Sequence, residues 1–379
     1  MPVWWGTFAY MMVVSLIGMY MYKSKKQSAT LVPVEGEKTE NYKSIGLVMA
    51  LLTFALLAFF AGNRSVIHDT QEYQYMYELF YTDDLNQIPD IISGNTKVVK
   101  GPLFFIYLVI FKHFTHGTYT DWFLSIALIQ CVSIALFFYK YSVNYVYSVF
   151  LFYMTSGVIW LVNGMRQFLA VAIVLFFVDF IFKRKTIPFI IVVIVVYFIH
   201  SASLLWIPVY FIINFKPWSS KFFVCVVAFV IGMILFSRSS FLSETDFSYL
   251  QEDENAGINI FRILVNFIPS ILAFIKRKET EELNSSFIDI LINLSVITSA
   301  CYLIGYFSNG VVARIAEYFV LFNYILMPLL FKKVYDESLS KTIMLVSLVG
   351  YFAYFCFEMY NAKNGIYISD SLGISYWTP

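Results

Sequence analysis

What most constrains this chain is the length and frequency of its apolar stretches. Between residues 3 and 359, segments of Leu, Ile, Val, Phe and Ala follow one another with mostly short polar breaks. They lie at roughly 3–22, 44–62, 101–115, 122–139, 144–164, 167–182, 187–200, 202–215, 221–237, 257–275, 286–305, 311–331 and 342–359. A helix needs about 20 apolar residues to cross the hydrocarbon core of a bilayer, fewer where the bilayer thins. The expected fold class is therefore all-α: a polytopic membrane protein forming one integral membrane domain over residues 1–379. Composition agrees, with 59% hydrophobic and 13% charged residues, against roughly 25% charged in a soluble domain. The 40 Phe and 28 Tyr suit lipid-facing surface and interfacial belts. A net charge of +1 gives no reason to expect nucleic acid as a partner. Cys131, Cys225, Cys301 and Cys356 are scattered through apolar runs, which fits small buried or lipid-facing residues rather than disulfides or metal ligands.

Orientation follows from the basic residues. Met1 to Tyr22 is apolar with no basic region before it, and Lys23, Lys25 and Lys26 come after. A cleavable signal has the reverse order, so this reads as a retained first span with its N-terminus outside. Lys183-Arg184-Lys185, Lys216 with Lys221, Lys276-Arg277-Lys278 and Lys332-Lys333 should then all be cytoplasmic. Thirteen crossings would contradict that. Twelve crossings satisfy it if 144–164 is a re-entrant pair of half-helices, interrupted at Thr155-Ser156-Gly157. Broken backbone at membrane depth is tolerated where it lines a cavity or is buried in protein. Both hydrophilic loops, 63–100 and 238–256, then lie outside, and both are acidic. In the first, Tyr73, Met76, Tyr77 and Phe80 are spaced i, i+3, i+4, i+7, which predicts a helix along the outer membrane surface. No internal repeat relates the two halves, which argues against an inverted-repeat transporter.

Ionisable residues at membrane depth are costly and point to function. With this orientation they gather at the outer ends of several segments: Arg64 and Asp69 after the second, Arg166-Gln167 before the sixth, His200 between two short ones, and Arg314 and Glu317 in the twelfth. Asn163 and Asn309 lie near the same level. The pattern is that of a cavity opening outward and holding three arginines. A guanidinium is a permanent charge with a planar fork that matches phosphate oxygens, so Arg166, Arg314 and Arg64 suit a lipid pyrophosphate, although each could instead snorkel to a phospholipid. His200 titrates near neutrality and can accept a hydroxyl proton; Asp69 is the rival base. Tyr73 and Tyr77 suit either sugar stacking or interfacial anchoring. Arg262 sits at an external span end without evident polar company. Asp179, Asp289 and Glu358 read as helix contacts or end residues. Asp83-Asp84 and Glu252-Asp253-Glu254 read as acidic loop surface, and neither metal nor cofactor is expected.

Asn163-Gly164-Met165-Arg166-Gln167-Phe168-Leu169-Ala170, followed by Phe198-Ile199-His200-Ser201-Ala202-Ser203-Leu204, resembles the EpsG-like family of Wzy-type polysaccharide polymerases. Arg64 with Asp69-Thr70-x-x-Tyr73, and Arg314-x-x-x-Tyr318-Phe319, resemble further family segments. The likeness runs over about residues 45–330 and departs at two places. Ser-Ala-Ser-Leu follows His200, and Lys100-Gly101-Pro102-Leu103 lacks the acidic residue of the family's corresponding stretch. The resemblance implies a multi-spanning glycosyltransferase, similar in fold to metal-independent membrane glycosyltransferases of GT-C-like type and to O-antigen ligases. Such an enzyme joins oligosaccharide units carried on undecaprenyl pyrophosphate at the outer face of the bacterial plasma membrane. Its expected partners are the lipid-linked donor and acceptor, membrane lipids, a chain-length regulator and a flippase. The rival readings are a flippase or other transporter of the same lipid-linked units, and a glycan ligase or acyltransferase.

Overall fold

Each of the thirteen apolar segments carries helix in the computed structural model, which describes residues 2–31, 37–67, 69–80, 82–94, 101–155, 157–237, 259–307, 310–361 and 367–374. The external loop expected at 238–256, together with Asn309 and Ser156, lies outside the described residues. In chain order the helices are α1 (Pro2–Leu31), α2 (Glu37–Gly62), α3 (Thr70–Tyr75), α4 (Ile88–Ser93), α5 (Pro102–Thr115), α6 (Tyr119–Tyr141), α7 (Tyr145–Met154), α8 (Gly157–Asn163), α9 (Met165–Phe176) and α10 (Asp179–Phe182). After them come α11 (Thr186–Tyr197), α12 (Trp206–Ile212), α13 (Ser220–Ser237), α14 (Ile260–Ile275), α15 (Arg277–Glu282), α16 (Ser286–Phe307), α17 (Gly310–Ala316), α18 (Val320–Lys333) and α19 (Glu337–Asn361). Local chemistry sets several starts. Pro102 opens α5, where its missing N–H costs nothing. Thr118 and Asp121 cap α6 reciprocally. The side chains of Asn144 and Asn259 take backbone N–H groups at the starts of α7 and α14.

Length separates these helices into two kinds. Pro2–Ser24, Lys43–Gly62, Tyr119–Tyr141, Ser286–Phe307 and Glu337–Tyr360 are long and apolar enough to cross a membrane. The pair α7 and α8, bent by 61°, makes a sixth if it is one broken span. Those half-helices fall on either side of the expected interruption at Thr155–Gly157. Six further apolar helices have only 10–17 residues. At 1.5 Å per residue they reach roughly 15–26 Å, less than the ~30 Å hydrocarbon core. Among the described residues, length alone thus supports five or six of the twelve crossings expected, because hydropathy marks apolar stretches without recording where the helix breaks inside them.

The chain divides into two units, the first comprising residues 1–88, 107–165 and 355–379 and the second residues 89–106 and 166–354. In the first, α1, α2, α6 and α7 pack through Trp4, Phe54, Phe138, Phe152 and Tyr153. Tyrosine hydroxyls reach helix carbonyls: Tyr153 to Trp4, Tyr145 to Ala50 and Tyr139 to Lys43. Each places a polar tip on a partner where water is scarce. Gly62 permits close packing of α2 on α6, since a Cβ there would stand 2.7 Å from the Leu124 backbone.

The Tyr73 stripe forms helix as expected, α3 continued by a π-turn over Met76–Phe80, but it faces the protein. Tyr73 and Tyr77 are 7% and 3% exposed. Tyr77 stacks on Trp122 and donates its hydroxyl to the Gly117 carbonyl at 2.7 Å. Tyr75 and Leu79 are the exposed ones. The correction has a simple cause: an apolar stripe cannot tell membrane from protein, and Trp122 with the α5–α6 turn supplies a protein surface. The Phe80 side chain lies outside the described residues.

In the second unit α16 and α18 form the centre, with every residue of α18 from Val320 to Phe331 buried. Asn293 on α16 donates to the Ile213 and Phe215 carbonyls at 3.1 and 2.7 Å, tying down the end of α12. Tyr351 and Tyr335 donate to the Val265 and Leu272 carbonyls of α14. Polar side chains here join helices that apolar packing alone holds weakly in lipid.

Candidate functional site

Three interruptions of helix bring polar side chains together in the second unit. The first is the start of α9, where Arg166 and Gln167 follow Met165. The second is the break between α11 and α12. There His200 is extended (φ −148°, ψ 113°) and a short 3-10 turn, Ser201–Leu205, precedes α12. The third lies between α17 and α18, where Glu317, Tyr318 and Phe319 form a tight turn with backbone bonds to Arg314, Ile315 and Ala316. Hydrogen bonds link these breaks directly. Gln167 Nε2 donates to the Arg314 carbonyl at 2.6 Å, so α9 holds the end of the helix that carries Arg314. His200 Nδ1 and the Tyr318 hydroxyl are 2.7 Å apart, both buried. Trp206, the first residue of α12, packs edge-on against Phe319 with ring centroids 4.7 Å apart.

Glu317 is buried, 2% exposed, and accepts a hydrogen bond from the Tyr302 hydroxyl of α16 at 2.7 Å. The positive charges acting on it are Arg262 and Arg314. Arg262 thus has polar company, contrary to the expectation from sequence: its Nε donates to the Tyr354 hydroxyl at 3.3 Å and its carbonyl accepts from Asn266. Tyr302 and the polar partners of Arg262 do not show in the sequence because they sit in strongly apolar runs. The available signal was Arg262, Asn266 and Ser270 at spacing i, i+4, i+8, one polar face on α14. Ser270 and Ser299 meet 2.9 Å apart across that face.

Gly101 sets the distance between two of the breaks. Its φ is +76°, and a Cβ on it would stand 2.5 Å from the Ile199 carbonyl oxygen and 3.3 Å from Arg166 Nη1. The neighbouring Leu103 N–H donates to the Phe198 carbonyl, and the Arg166 guanidinium lies 6.0 Å from the Phe105 ring. Only glycine fits both the conformation and the space. Gly101→Ala should therefore cost about 1–3 kcal/mol and shift Arg166 against the His200 break. A melting curve in detergent together with an activity measurement checks this; unchanged values in both would contradict it.

The remaining expected residues fall in the first unit. Arg64 is 1% exposed. It donates to the Ala61 carbonyl, to Thr70 Oγ1 at 3.1 Å and to Met165 Sδ at 3.3 Å, and it lies 4.6 Å from the Phe123 ring centroid. Burial lowers its pKa to about 10, opposed by Tyr367, Tyr73 and Asp69, so it stays charged at neutral pH. Asp69 is half-buried at the start of α3. Asn163 ends α8, with a buried Oδ1 that has no hydrogen-bond partner among the described residues. Among the described residues no group of three or more His, Cys, Asp and Glu is placed to hold a metal.

The EpsG family model matches residues 47–371. The chain belongs to the EpsG family. All three interruptions of the second unit lie inside the match, which agrees with the resemblance seen in the sequence. The EpsG family is glycosyltransferase-like and associated with polysaccharide polymerisation, and several long apolar helices make this EpsG-family chain a multi-pass membrane protein. No curated protein and no solved structure matches the chain.

Proposed function

We propose that this chain polymerises undecaprenyl-pyrophosphate-linked oligosaccharide units into O-antigen, capsular polysaccharide or exopolysaccharide at the outer face of the bacterial plasma membrane. The observation that carries the reading is that the three helix breaks bearing Arg166, Arg314 and His200 are joined by the Gln167–Arg314 and His200–Tyr318 hydrogen bonds. A hydroxyl of the incoming unit attacks the anomeric carbon of the growing chain. The bond from that carbon to the pyrophosphate oxygen breaks, and undecaprenyl pyrophosphate leaves with the electron pair. Arg166 and Arg314 stabilise the charge that develops on it, and His200 takes the hydroxyl proton. Glu317 sets a carboxyl group within electrostatic reach of Arg314 and Arg262. His200 is preferred to Asp69 because it shares a unit with both arginines. Arg64, buried and bonded through all three of its nitrogens to Thr70, Ala61 and Met165, serves the fold of the first unit.

In this reading the short helices complete twelve crossings with α7 and α8 re-entrant, as in GT-C-like enzymes, in a membrane thinned or covered by protein around them. Glu72, exposed after α2, is external, and Lys332 is cytoplasmic. With Cys225 and Cys356 replaced, Glu72→Cys should react with an impermeant maleimide in intact cells and Lys332→Cys only after permeabilisation. The reverse pattern would invert the topology. The function itself is tested by deleting the gene and separating surface polysaccharide on a gel. The reading expects single repeat units without long chains; loss of all surface units would point to a flippase or ligase instead.

A further inference from the structure

We propose that Tyr318 is the positioning residue for His200, fixing the rotation and tautomer of the imidazole so that Nε2 meets the acceptor hydroxyl. This rests on the reading that His200 takes the proton. An imidazole at a helix break has no ladder to fix it, and its terminal torsion is broad and roughly two-fold. A half-turn would exchange the nitrogens for carbons and remove the base from its place. The bond from Nδ1 to Tyr318 at 2.7 Å selects one of the two orientations.

The phenol is suited to that task because it is itself held. Tyr318 is 1% exposed, its N–H donates to the Ile315 carbonyl, and the next residue, Phe319, packs edge-on against Trp206 at the far side of the His200 break. Both ends of the pair are thus fixed to the same two elements. The rings meet through the hydroxyl rather than by stacking, with centroids 6.1 Å apart and planes at 49°. For Nε2 to accept, Nδ1 must carry the proton and donate to the Tyr318 oxygen. When the acceptor hydroxyl gives up its proton, Nε2 receives it and Nδ1–H keeps its bond, now strengthened by the ring's positive charge. A phenol does this without adding a second formal charge beside Arg314 and Glu317 on its own break, or Arg166 on α9.

Tyr318→Phe keeps the ring and deletes only the hydroxyl. In purified protein with a lipid-linked oligosaccharide substrate, it should lower kcat by about 10- to 100-fold, part of the roughly 100- to 10,000-fold that a general base supplies, with KM within about twofold and the melting temperature near wild type. The His200→Ala background separates positioning from structure. If Tyr318 acts only through His200, adding Tyr318→Phe to His200→Ala causes no further loss. A second loss of the same size, a Tyr318→Phe protein that fails to accumulate, or wild-type kcat in the single variant would each overturn the proposal. His200→Asn distinguishes the underlying reading, because an amide nitrogen replaces Nδ1 and can keep the Tyr318 bond while Nε2 is gone. Activity surviving in His200→Asn would sink His200 as the base. Activity lost there, beside a normal Tyr318→Phe, would sink only the positioning role.

Discussion

Replacing Arg166 or Arg314 by Lys should cut polymer synthesis by about 100-fold or more while leaving the protein folded in the membrane. Lys keeps the charge and loses the planar fork that meets two phosphate oxygens at once. An arginine that only reached toward lipid headgroups would tolerate the change. Position favours the stricter use. Arg166 lies beside Gly101 and the carbonyl of Ile199, the residue before His200. The Arg314 carbonyl is held by Gln167, and its charge acts on Glu317. A guanidinium at a reacting centre loses function when its geometry changes, since a displacement of about 1 Å there can cost ~100-fold. Long-chain polysaccharide on a complementation gel, with membrane levels of each variant measured alongside, checks the result. Wild-type chain lengths in both Lys variants would remove the pyrophosphate clamp from the account.

Arg64→Ala should fail differently, by loss of protein rather than loss of turnover. The last carbonyls of α2 have no helical partner, and side chains cap them. Asn63 returns to Phe59, Tyr367 to Phe60, Arg64 to Ala61, and Ser369 takes the Asn63 carbonyl. A positive charge is also favourable at that end of a helix. The turn after α2 is closed further by Ser65, whose N–H donates to the Ile368 carbonyl and whose Oγ accepts from the Asp370 N–H. Removing Arg64 leaves a cavity against Phe123 and an uncapped carbonyl in a site without solvent access, a loss on the order of 3 kcal/mol or more. Membrane levels and melting temperature should drop, with activity per folded molecule near wild type. Normal levels with lost activity would return Arg64 to the substrate site.

The helical class, the broken segment at Thr155–Gly157 and the residues at the three breaks of the second unit were legible in the sequence. Each shows as polar or small residues interrupting an apolar run, and Arg166, His200 and Arg314 stand out because ionisable residues within such runs are rare. The lengths of the helices were not legible, since α11 and α12 each read as apolar runs of spanning character although they are short helices joined at His200. The direction of the Tyr73 stripe was equally hidden: the partners of Tyr77, Gly117 and Trp122, lie 40 and 45 residues further along the chain. Tyr302 looked like one more aromatic in a Tyr-rich chain, and only the fold brings it to Glu317.

The central claim is that this protein joins lipid-linked repeat units to one another, and one reconstitution tests it most directly. Purified protein in lipid is given undecaprenyl-pyrophosphate-linked oligosaccharide units, and both carbohydrate length and free undecaprenyl pyrophosphate are followed. A ladder of repeat units should appear, with one undecaprenyl pyrophosphate released for every new glycosidic bond and both signals reduced by about 100-fold or more in the Arg166→Lys protein. Movement of intact single units across the bilayer, with no ladder and no free carrier, would contradict it.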